Sequence, residues 1–243
     1  FECKRPVTLH KLTHPLKKLE VGLQWLLTHS GLGASNIWEM GGLVYGNGDV
    51  EHPNLQYHFT PVFSEWQGRR LKLHQGYQLN CDQLRPTSKG EVKLHSCDPR
   101  DRPAAHFNYL SHPHDVKELV EGLRAMEELL TQPAFDAYRG QRITPAPGVT
   151  SDDDLEACVR ATATTDYHPC GTCRMGDDEY AVVDQEMQVR GIDGLRVVDA
   201  SVMPNIVSGN LNAPTQMIAE RAADYILGKP QLPAQQARFH FLQ

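Results

Sequence analysis

Apolar residues recur at three- and four-residue spacing in three stretches, and each stretch predicts a helix. Over 11–29 they are Leu12, Leu16, Leu19, Leu23, Leu26 and Leu27, with Lys17, Lys18 and Glu20 on the other face. Over 115–130 they are Val116, Leu119, Val120, Leu123, Met126, Leu129 and Leu130, and Pro133 closes the segment. Over 214–227 the stripe is Met217, Ile218, Ala222, Tyr225 and Ile226. Pro214 suits its first turn and Gly228 suits its end. A fourth helix is predicted from its start. Ser151 caps, Asp152, Asp153 and Asp154 sit in the positive first turn, and the helix runs towards Thr162.

Between the first two helices the pattern shortens. The run 36–44 is apolar, with one carboxylate, Glu39, that looks buried. Turn residues follow at Asn47-Gly48-Asp49. The segments 54–63, 78–84 and 91–97 read as strands, with turn chemistry between the last two from Pro86 to Gly90. No helix separates these strands, so an antiparallel sheet is expected. Short strands are also expected at 182–184, at 195–199 and through the segment that begins at Tyr167, with a turn at Asp193-Gly194. Segment 140–150 reads as loop, and the tail after Lys229-Pro230 has no pattern. The fold class is α+β.

The chain has 243 residues, ordinary globular composition and a net charge of −6. That charge disfavours nonspecific nucleic-acid binding and is compatible with a cationic substrate. No apolar run is long enough to span a bilayer, and no targeting pattern is visible. Six cysteines are scattered, apart from the pair Cys170 and Cys173. A second ligand pair at zinc spacing is lacking, and the pair does not open a helix after a strand, so reduced packing cysteines are expected. No metal set is evident. The Asp152–Asp154 run lacks the glycine and terminal glutamate of a calcium loop.

The stretch with most chemistry is Thr164-Thr165-Asp166-Tyr167-His168-Pro169-Cys170-Gly171-Thr172-Cys173-Arg174-Met175-Gly176. Pro169 restricts His168 to extended backbone, and Gly171 and Gly176 permit sharp turns. A histidine held this way is a general base or a structural histidine. Downstream lie Gly191-Ile192-Asp193-Gly194-Leu195-Arg196-Val197-Val198-Asp199-Ala200-Ser201-Val202-Met203-Pro204 and Gly209-Asn210-Leu211-Asn212-Ala213-Pro214-Thr215.

Together these three stretches resemble the C-terminal signature of the glucose–methanol–choline (GMC) flavin oxidoreductases. The resemblance implies FAD as cofactor and oxidation of a primary alcohol, with choline the expected substrate. It implies His168 as base and Asn210 as the partner of the same oxygen. It places Asp199, Ala200, Asn212, Pro214 and Thr215 at the flavin, where the helix N-terminus would face negative charge. Glu39 and Trp38 look like the charge and aromatic face that hold a trimethylammonium head in choline-oxidising members. Glu39 as a plain exposed strand residue is the other reading. Tyr167 either completes that aromatic box or is a core tyrosine. His106 and Asn108 either line a pocket or, the reading preferred here, make structural hydrogen bonds only.

The same resemblance divides the chain into an antiparallel-sheet substrate-binding domain with flanking helices over 1–163, the C-terminal portion of an FAD-binding α/β domain over 164–230, and a tail over 231–243. The glycine fingerprint that seats the ADP half of FAD is not found here, and Phe1-Glu2-Cys3-Lys4 reads as the interior of a longer chain. The resemblance further implies an electron acceptor of the respiratory chain, a mitochondrial inner-membrane location and peripheral membrane association. Two other functions stay open: the same chemistry on a different alcohol, and a truncated, non-catalytic fragment.

Overall fold

A computed structural model describes residues 1–46, 50–67 and 69–236. The turn expected at Asn47-Gly48-Asp49 and the end of the tail lie outside the described residues. The chain divides into two compact units, Phe1–Asp166 and Tyr167–Gln243.

The first unit opens with a 3-10 turn, Leu9–Thr13, and helix α1, Pro15–Thr28. Proline at the first helical position moves the start of α1 later than the apolar spacing suggests. Strands β1 (Met40–Val44), β2 (Leu55–Thr60) and β5 (Gln78–Gln83) form one antiparallel sheet in the order β1-β2-β5. Strands β3 (Phe63–Gln67) and β4 (Arg70–His74) form a second, and β6 (Glu91–Lys93) with β7 (Ala104–His106) a third. All these pairings are antiparallel, as expected. Strand β6 stops at Lys93 rather than Cys97 because β7 offers only three partner residues.

Helix α2 (Pro113–Leu130) packs on β5 and on α3 (Asp152–Thr162). Gly122 lets α2 approach the sheet closely, since a Cβ there would lie 3.1 Å from Leu55 Cδ1. The Tyr57 hydroxyl donates to the Gly122 carbonyl at 3.0 Å, and the Asn54 amide donates to Glu118 at 2.7 Å. Buried polar groups at this helix–sheet contact are therefore partnered. Helix α3 starts as its sequence predicts, with the Ser151 hydroxyl accepting from the Asp154 N–H at 3.2 Å. Elsewhere Cys3, Tyr77 and Leu130 form a buried cluster with Phe1, Phe59 and Phe135 against it.

Helix α1 buries none of its residues. Leu16 is 69% exposed and Leu27 77%. Its apolar stripe is present, but the described chain does not cover it.

The second unit is mostly irregular chain around a core of Val183, Met187, Val202, Met203, Leu211, Ile218 and Ala222. The strands expected at 182–184 and 195–199 are only isolated bridges: Val183 pairs with Met175 and Val189, and Arg196 with Gln188. The segment from Tyr167 to Thr172 is not a strand either. Tight turns at Gly191 and Gly194 leave each run too short for a ladder. Helix α4 (Asn212–Ile226) closes the unit. Beyond it, Lys229 N–H donates to the Asp224 carbonyl at 2.9 Å, with Gly228 in the left-handed conformation its position predicts.

Candidate active site

In the second unit, the His168 segment is laced to the Asp199-Ala200 segment through backbone. Gly171 N–H donates to the Ala200 carbonyl at 3.4 Å, Cys173 N–H to Ser201 at 2.9 Å, and Met175 N–H to Val202 at 2.8 Å. Val202 is fully buried, so this lacing ends on a fixed point of the core. Cys170 packs against the same core. The Asp199 carboxylate accepts from the Ser201 N–H at 2.7 Å and caps a short 3-10 turn, Ala200–Val202. His168 is half-buried. Tyr167 before it has φ of 62°, unusual for a bulky residue.

Asn210 is exposed and directly precedes buried Leu211, which belongs to the core that fixes the His168 segment. Asn212, Pro214 and Thr215 lie in the first turn of α4. The Thr215 hydroxyl donates to the Leu211 carbonyl at 2.7 Å, and the Asn212 side chain accepts from Gln216 at 3.0 Å. Both side chains therefore brace the helix start. No side chain caps α4 and its first turn holds no acid. A positive helix end left this way fits an anionic partner, so the residues here are compatible with the flavin the sequence implies.

In the first unit, Trp38 and Glu39 immediately precede β1. Glu39 is exposed, not buried as the apolar run around it suggests: β1 is an edge strand and shows its face to solvent. Trp38 is 50% exposed, with its ring edge-on to His58 at 5.7 Å between centroids. Tyr167 is 80% exposed, which excludes the core-tyrosine reading within its own unit. Asn108 makes the structural contact expected of it, donating to the Lys89 carbonyl at 3.0 Å.

One group has no signal in the sequence. His58 Nε2 lies 3.2 Å from the Asp82 carboxylate, and one ligand-type atom each from His58, Asp82 and Asp166 lies within 4.8 Å of the others. These residues are far apart in the chain, so no motif spacing joins them. The sequence offers no metal set, whereas the structure brings together three groups of metal-binding type, two of them already paired with each other.

The GMC oxidoreductase C-terminal family model matches residues 86–219, and the chain belongs to this family. FAD is the family's cofactor. The chain is 45% identical over 98% of its length to an oxygen-dependent choline dehydrogenase of Escherichia coli O45:K1 and spans 42% of that protein. It is 47% identical over 96% of its length to one from Burkholderia cenocepacia, spanning 41%. Among solved structures, a variant of Aspergillus oryzae RIB40 formate oxidase matches with a TM-score of 0.82 at 24% identity, covering 93% of this chain and 44% of that one. This last likeness speaks to fold alone. The chain therefore spans less than half the length of the relatives it matches.

These choline dehydrogenases are bacterial, which overturns the mitochondrial, inner-membrane location that the resemblance implied. Among the described residues no helix is long and apolar enough to cross a membrane.

Proposed function

We propose that this chain is the base-bearing C-terminal part of an enzyme that oxidises choline to betaine aldehyde. Residues 1–163 supply the substrate-binding domain and residues 164–230 the C-terminal part of the FAD-binding domain. The observation that carries this reading is the likeness to choline dehydrogenases, which runs through the His168 and Asn210 segments and α4 alike.

FAD, when bound, supplies the acceptor for the hydride. The chain's own residues do the rest. An imidazole nitrogen of His168 takes the hydroxyl proton, and Pro169 limits the backbone conformations from which it does so. Asn210 hydrogen-bonds the same oxygen without taking its proton, because an amide is not a base at neutral pH. Asp199 and Ala200, at the end of the backbone lacing, and Asn212, Pro214 and Thr215, at the uncapped start of α4, would hold the cofactor. Trp38, Glu39 and Tyr167 offer aromatic faces and one negative charge to the trimethylammonium head, which no hydrogen bond can hold. An acceptor of the respiratory chain would take the electrons onward, with peripheral contact with a membrane there.

The test is choline-dependent bleaching of the flavin in the full-length enzyme. His168→Ala should lower the rate about a hundredfold or more, the usual range for a lost general base, with flavin content near normal. An unchanged rate in a folded, flavin-loaded variant would remove the assignment.

A further inference from the structure

We propose that Gln216 is a positioning residue for the flavin: it holds the side-chain amide of Asn212 in the orientation that offers N–H, not oxygen, to the cofactor. The inference rests on the function proposed above. The start of α4 is short of donors. Thr215 N–H makes the first bond of the helix, to the Leu211 carbonyl at 3.0 Å. Pro214 has no N–H. Of the first three helical residues, then, Asn212 and Ala213 are the two with a main-chain N–H to offer an anion. The Thr215 hydroxyl gives its hydrogen to the Leu211 carbonyl at 2.7 Å. Among Asn212, Ala213, Pro214 and Thr215, the one side-chain N–H group belongs to Asn212.

An asparagine amide carries an acceptor on one limb and two donor hydrogens on the other, and a half turn about its last bond exchanges them. Oxygen turned toward an anion repels what N–H would bind. Gln216 decides between the two. Its Nε2 donates to Asn212 Oδ1 at 3.0 Å, from one helical turn further on. With Oδ1 turned back along α4, the planar amide carries Nδ2 on its other limb, away from Gln216. Asn212 and Gln216 are both exposed in the second unit, and the buried residues of α4 are Ile218 and Ala222. Packing therefore does not demand the contact, and its use is to select an orientation. A flavin gains negative charge when it is reduced. A donor fixed beforehand holds the reduced group more tightly than the oxidised one, and so raises its potential.

The test strips the full-length enzyme of FAD, titrates FAD back, and measures the reduction potential of the reloaded protein. Gln216→Glu puts an acceptor where the donor stood, so Asn212 turns its N–H groups back along the helix. The FAD dissociation constant should rise about tenfold, as for one lost hydrogen bond to a charged group. The potential should fall by about 30 mV, which is a tenfold change in relative affinity for a two-electron couple. Thermal stability should not fall, because a carboxylate near a helix start suits the positive dipole end. Gln216→Met neither donates nor accepts. It leaves Asn212 both orientations, one of them competent, and should raise the constant about twofold. Both substitutions are repeated in Asn212→Ala. There Gln216→Met should change nothing, and Gln216→Glu should keep only the screened effect of its charge, about twofold. Equal effects in the two backgrounds would overturn the proposal, as would wild-type FAD affinity and potential in Gln216→Glu. Asn212→Ala alone separates the two readings. If it weakens FAD binding while the Gln216 substitutions act independently of it, the positioning role alone is wrong. If it changes neither affinity nor potential, Asn212 is not at the flavin, and the placement of α4 fails along with the role of Gln216. Should Gln216→Glu not fold, Gln216→Met in the two backgrounds decides the matter.

Discussion

Cys173 N–H donates to the carbonyl of Ser201 across 2.9 Å, joining two segments that the sequence keeps apart. The bond involves main chain on both sides. It therefore asks nothing of either side chain, and the cysteine pair at Cys170 and Cys173 need not be chemical. Burial raises the Cys170 thiol above its ordinary range, which keeps it protonated near neutral pH and slow in exchange. Both cysteines are free.

Replacing both, Cys170→Ser with Cys173→Ser, should therefore retain more than about half of the turnover of the full-length enzyme, since the raised Cys170 thiol is a poor nucleophile and the Cys173 contact to Ser201 is made by backbone alone. Steady-state turnover with choline, alongside flavin content, is the measurement. A collapse of turnover with flavin content intact would mean that the pair takes part in the reaction.

The contrast between the two units shows what the sequence carries. Helices α2 and α3 are legible because their signals are local: an apolar stripe over 116–130, and Ser151 followed by three carboxylates. The Asp199 and His168 segments are legible as motifs, but not as strands. Val183 bridges Met175 and Val189, and Arg196 bridges Gln188, but none of these bridges extends, so their β-like composition reports burial rather than a ladder. Helix α1 has the stripe of a packed helix and no buried residue, because amphipathicity specifies a face and not what covers it. Glu39 fails in the same way. Its apolar neighbours suggest a core strand, yet β1 lies at a sheet edge. The grouping of His58, Asp82 and Asp166 is invisible because it is made by sheet register and a distant return of the chain.

Asp115, 1% exposed at the start of α2, tests the helix–sheet contact. Burial disfavours its charge, but bonds from Ser88, Thr87 and Gln83 outweigh that and hold its carboxyl below the usual range. The Thr87 and Ser88 N–H groups donate to it at 2.8 and 2.7 Å. Asp115→Ala leaves those donors unserved and should cost about 2–3 kcal/mol at neutral pH. A carboxyl depressed by folding stabilises the protein above its unfolded value, near 3.9, and that contribution is lost as pH falls through the folded value. The gap between wild type and variant should thus be full at pH 7 and narrow below about pH 4. Thermal unfolding across that range measures it. An equal gap at all pH values would show that the charge of Asp115 contributes nothing.

Glu39 tests the choice of substrate. It stands exposed beside Trp38, an aromatic face 50% open to solvent. A trimethylammonium group cannot donate a hydrogen bond, so only charge and ring faces attract it. At an effective dielectric of about 20, unit charges about 5 Å apart interact by roughly 3 kcal/mol. Desolvation reduces this to about 1–2 kcal/mol, or roughly tenfold in affinity. Glu39→Gln in the full-length enzyme should therefore raise the Michaelis constant for choline about tenfold and leave turnover at saturation nearly unchanged. The neutral isostere, in which carbon replaces the quaternary nitrogen, provides the control. A packing defect weakens both substrates alike, whereas loss of a charge partner weakens choline alone. Steady-state kinetics with the two alcohols decides between them. Equal losses would leave Glu39 an edge-strand residue and the cation without its proposed counter-charge.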